Sequence, residues 1–147
     1  MKKFFSGKTA YSLLIPVAVL LSFTTIAERP NFSGDWKLDE SKSELGEFGA
    51  RVARSFKVDQ KENQITISRT TPGFNGGDPV TSTVTLTYDG NVTESEGFGG
   101  SKRKTTASWS GDGSTLTINN TTSFERDGQT NEFKSSETWT LTKDGML

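Results

Sequence analysis

The chain has no cysteine and no histidine in its 147 residues. Without cysteine there are no disulfides, no thiolate metal ligands and no thiol for lipid attachment. Without histidine the commonest general base and metal ligand near neutral pH is missing. The two absences together exclude Ser–His and Cys–His nucleophilic machinery. No Gly-rich loop leads into a helix to cradle a phosphate, and the acidic residues are not spaced as a calcium loop. Carboxylates in principle serve acid–base chemistry, but no pair stands in a recognisable arrangement. These absences set the expectation that the protein is not an enzyme and uses no cofactor and no metal.

An excess of positive charge is also missing. Lys2, Lys3 and Lys8 stand at the start with no acid nearby, and residues 28–147 hold 14 Lys and Arg against 18 Asp and Glu, a net charge near −4. A nucleic-acid binder needs a basic footprint, so that partner is not expected. The basic start is followed by the apolar run Ser12 to Ala27, broken by Pro16 and a few hydroxyls. That is the layout of a secretory signal, with Thr25-Ile26-Ala27 as a small-residue cleavage site. The alternative is an uncleaved anchor, but the run falls short of the ~20 apolar residues of a spanning helix. The expected organisation is a signal peptide at 1–27 and one domain at 28–147, exported to a periplasm or outside the cell. After cleavage no membrane span is expected, and a monomer is.

What the remaining chain has is threonine, serine and alternation. From Val80 to Tyr88, residues Val80, Ser82, Val84, Leu86 and Tyr88 share one face, and Thr81, Thr83, Thr85 and Thr87 the other. This is a strand with one wet face. Turn signals recur between such runs: KEN at 61–63, then DG, GDG, RDG and DG ending at 90, 113, 128 and 145. Eight strands are expected, at 34–39, 51–59, 64–71, 80–88, 91–96, 102–110, 114–124 and 130–142. Joined by hairpins they form an antiparallel up-and-down meander, which removes its edges by closing into a barrel. An open sandwich is the alternative. Residues 43–53 carry a weak helical spacing, opposed by two glycines, so a single turn or loop competes with a helix. The last turn is followed only by Met146 and Leu147, as if a strand were cut short and the sequence truncated.

In a meander, successive connections alternate between two ends. The tight turns at 61–63, 89–90, 111–113 and 144–145 fall at one end. The other collects the longer loops at 40–50, 72–79 and 97–101, with Phe48, Phe74 and Phe98. Parity then places Trp36, Tyr88, Trp109 and Trp139 inside near the tight-turn end, as a plug. Arg54, Arg69 and Arg103 fall inside near the open end, with Glu94 or Glu96 and Glu137 as neighbours. A desolvated guanidinium needs a planar anionic partner. It is either a ligand head group, with an apolar tail below, or an internal glutamate; the arginines can also snorkel to solvent. The three phenylalanines are either portal residues or small caps folded over the core.

The stretch Phe32-Ser33-Gly34-Asp35-Trp36-Lys37-Leu38 resembles the first strand of the lipocalin and fatty-acid-binding superfamily, which begins Phe-x-Gly-x-Trp. It looks still closer to small exported bacterial proteins called lipocalin-like, with a GxWKL start and later Lys-Ser and Phe-Gly elements, here Lys42-Ser43 and Phe48-Gly49. The resemblance implies an all-β lipocalin-like barrel. In it Gly34 allows close backbone approach, and Trp36 plugs the floor beneath a basic side chain from a late strand. The gap after the first strand is too short for the helix pair that lids fatty-acid-binding proteins. The function so implied is binding of a small apolar or amphipathic, optionally anionic, molecule. Its expected contacts are Arg54, Arg69, Arg103, Glu137, Phe48, Phe74 and Phe98. The alternative is a barrel filled by its own side chains, serving a structural or interaction role.

Overall fold

The computed structural model describes residues 28–147 except 47, 48, 50, 51, 74, 75, 98, 99 and 146. Residues 1–27, where a signal peptide was expected, therefore lie outside the described residues. The chain forms eight strands: β1 (Gly34–Lys37), β2 (Ser55–Gln60), β3 (Gln64–Thr71), β4 (Val80–Thr87), β5 (Thr93–Glu96), β6 (Lys102–Trp109), β7 (Leu116–Arg126) and β8 (Gln129–Trp139). They make two antiparallel four-stranded meanders, β1-β2-β3-β4 and β5-β6-β7-β8. The fold is all-β, as the alternation implied. Within the expected helix span 43–53, residues 47, 48, 50 and 51 are not described; a 3-10 turn precedes it at Glu40–Lys42, capped by Asp39.

The ladder breaks between β4 and β5, where a hairpin was expected. The cause lies in the turn. Asp89 accepts from Thr87 Oγ1 at 2.6 Å, from Asn91 N at 3.1 Å and from Asn91 Nδ2 at 2.7 Å, while Gly90 takes φ 79°. The side chain thus closes its own local turn. The chain passes to the second sheet, held to the first by a bond from Thr93 Oγ1 to Thr85 O at 3.2 Å. By contrast, Asp127-Gly128 makes a two-residue hairpin turn with φ 54° and 76°, the backbone that such turns require.

Alternation then decides what is buried. Val58, Ile65, Ile67 and Leu86 from the first sheet meet Ala107, Leu116, Ile118 and Trp139 from the second, with Phe32 at 0% exposure among them. The opposite face of β3–β4 is wet. There Thr66–Thr85, Ser68–Thr83 and Thr70–Thr81, each directly cross-strand, share hydroxyl bonds at 2.9, 2.9 and 3.0 Å.

Phe32 is the centre of the aromatic end. Its ring stacks 5.7 Å from Trp109 and meets Trp139 edge-on at 5.6 Å. Its N–H donates to Gln60 Oε1 at 2.9 Å, and its carbonyl accepts from Trp36 Nε1 at 2.8 Å. Trp36 itself is only half-buried and stacks on Phe56 at 6.3 Å. The floor gathers around Phe32 and Trp139, and Trp36, Tyr88 and Trp109, each half-buried, pack against the same cluster. Gly34 is needed for a different reason from the one expected. A Cβ there would meet nothing within 4 Å, but φ is +140°, which side-chain-bearing residues rarely adopt.

Candidate functional site

A cavity of about 240 Å³ opens between the sheets, beyond the aromatic end. Its deep wall is Ile67, Leu86 and Ile118; its rim carries Arg69, Arg103, Glu96 and Glu137. Hydroxyl and amide groups such as Ser82, Ser95, Asn120 and Ser135 fill the middle. The end-to-end separation expected from strand direction is only partial: Arg103 stands at the rim, but the Arg69 guanidinium reaches the Phe56 and Trp139 rings of the aromatic end.

The three arginines have different fates. Arg69 on β3 reaches across to β8, where Nη2 donates to Glu137 Oε2 at 2.8 Å. Its guanidinium also lies 6.0 Å from the Phe56 ring centroid and 5.7 Å from that of Trp139. Trp139 Nε1 donates to the same Glu137 oxygen at 3.4 Å. This ion pair with its aromatic seat joins the two sheets. Arg54, just before β2, pairs at 2.9 Å with Glu40 of the 3-10 turn and does not line the cavity. The contact is an ion pair without hydrogen-bond alignment, since Arg54 Nη1 is buried with no bonded acceptor. Arg103 lines the cavity, and among the described residues no ion pair or hydrogen bond holds its side chain.

Phe48, Phe74 and Phe98 lie outside the described residues. The phenylalanine found at the cavity rim is Phe133, 64% exposed, with Phe124 farther out on the same face. Both keep the inward parity of β7 and β8, but the β7–β8 hairpin projects past β6, whose last pairing with β7 is at Ser123. Glu94 pairs with Lys104 at 3.5 Å and does not line the cavity, so it does not stand with Glu137 as a carboxylate pair. No cluster of carboxylates suited to a metal ion occurs among the described residues.

The aromatic end carries its own electrostatics. Arg29 sits 5.7 Å over Tyr88 and 5.4 Å over Trp109. The resemblance had placed a late-strand cation on Trp36; the cations observed on indoles come instead from before β1 and from β3. The Tyr88 hydroxyl and Trp109 Nε1 are buried without a bonded partner. Burial pushes the Tyr88 phenol up to about 12, partly opposed by Arg29. At the β6–β7 turn, Asp112 is held down at about 2, chiefly by the Ser110 hydroxyl, and also by the backbone and hydroxyl of Ser114.

Comparison of the chain with protein-family models, with curated proteins and with solved structures found no match. Among the described residues no helix is long and apolar enough to cross a membrane.

Proposed function

We propose that this chain is an exported, lipocalin-like binding protein whose two sheets act as a flattened barrel around a small amphipathic anion. The observation that carries the reading is Arg103, an exposed guanidinium at the rim of a cavity whose depth is apolar, with no ion pair or hydrogen bond among the described residues. A carboxylate or phosphate head would take Arg103, and a short tail would lie on Ile67, Leu86 and Ile118. The volume limits the tail: about 240 Å³ equals about eight liquid-water volumes. Export rests on the basic and apolar pattern of residues 1–27, and a binding role rather than catalysis on the missing histidine and cysteine.

A second reading, a core filled by the protein's own side chains, draws support from Arg69. Its charge is already met by Glu137. Native mass spectrometry and tryptophan fluorescence on residues 28–147, with octanoate and with palmitate, separate the two. We expect a one-to-one octanoate complex, weaker palmitate binding, and about tenfold or greater loss of affinity in Arg103→Ala. A bare mass and unchanged fluorescence with both acids would favour the filled core.

A further inference from the structure

The second sheet ends in β8. Among the described residues this strand is hydrogen-bonded to β7 on one side and to no strand on the other. Every residue from Gln129 to Ser136 is exposed, and Phe133 is 64% exposed. A long bare edge is a template for another strand, and natural edges are usually protected by a lysine or a proline. Here the lysine, Lys134, has Glu132 two positions away on the same face, 3.8 Å from it.

We infer that β8 pairs with β8 of a second copy, antiparallel about a two-fold axis at Phe133, to make one eight-stranded sheet. Charge selects this partner and this register. With the axis perpendicular to the sheet, residues facing each other across it share a face, so the axis passes through a residue. Centred on Phe133, Glu132 of each copy stands opposite Lys134 of the other, twice over. Centred one residue earlier, Glu132 would face itself; one residue later, Lys134 would face itself. The chosen register also sets the two Phe133 rings side by side, a favourable cross-strand pair. Since Phe133 is on the cavity rim, each copy would contribute a ring beside the mouth of the other's cavity. The paired stretch, 130–136, is short, so the dimer should dissociate on dilution rather than be obligate.

Sedimentation equilibrium of residues 28–147, from micromolar to submillimolar concentration, tests this. We expect a monomer–dimer equilibrium. Lys134→Glu sets two glutamate pairs face to face and should weaken the dimer about tenfold or more. Adding Glu132→Lys to the same chain restores opposite signs and should restore the dimer, a rescue that loss of folding cannot mimic. A monomer throughout the range overturns the inference. So does a dimer indifferent to Lys134→Glu, which would use another surface.

Discussion

Replacing Phe32 by alanine removes the ring around which the aromatic end is packed. The side chain is fully buried, precedes the first strand, and touches both Trp109 and Trp139. Roughly 150 Å² of apolar surface at about 25 cal/mol/Å² amounts to about 4 kcal/mol. The two ring contacts add about 1 kcal/mol more, and core Phe→Ala changes commonly cost about 3–5 kcal/mol. Against a total stability on the order of 10 kcal/mol, that is a large fraction. Urea unfolding followed by tryptophan fluorescence reads it directly. With a slope of about 2 kcal/mol per molar, the midpoint should fall by about 2 M. Val92→Ala is the internal control, since this exposed side chain should change stability by about 0.5 kcal/mol or less. If the two variants shift the midpoint equally, Phe32 is not the keystone and the packing argument fails.

The Arg69–Glu137 bridge should show a coupling of about 1 kcal/mol in a double-mutant cycle of Arg69→Met and Glu137→Gln, read by the same unfolding assay. The figure is kept modest because the side chains retain 27% and 34% exposure. No measurable coupling would mean the sheets are joined by apolar contact alone. Tyr88 is the only tyrosine in residues 28–147, so tyrosinate absorbance of that domain reports on it alone. It should ionise near 12 rather than 10.0. Folding thus favours the protonated phenol. Its stabilisation is intact below pH 10, where the unfolded phenol is still protonated, and is lost as the pH rises through about 12. Ionisation near 10 would place the ring in water.

Parity along each strand was legible because it is local. A two-residue period marks the buried face of β3, β6 and β7 wherever apolar side chains alternate with threonine, and on β3 that face carries Ile65, Ile67 and Arg69. The break between β4 and β5 was not legible. Asp89-Gly90 has the composition of a hairpin turn, and only the bonds from Asp89 to Thr87 and Asn91 reveal a corner between sheets. Phe32 was visible in the motif but lies outside any strand, so alternation assigned it no face. Its burial follows from the Gln60 amide, which accepts from Phe32 N and donates to the Pro30 carbonyl, fixing the chain before β1.

The fates of the arginines bear on function more than the cavity's volume does. A guanidinium already bonded to a carboxylate binds an incoming anion only if it gives up that partner or holds both charges at once. Arg69 would have to leave Glu137 and its seat on Trp139 and Phe56. That separation is costly, because it strands a partly buried carboxylate. Arg54 is committed to Glu40, away from the cavity. Arg103 alone meets an anion without prior loss, so its contribution to binding should exceed that of Arg69 in any ligand titration. If Arg69 dominates instead, the ligand displaces Glu137, and the inter-sheet bridge is a gate rather than a brace.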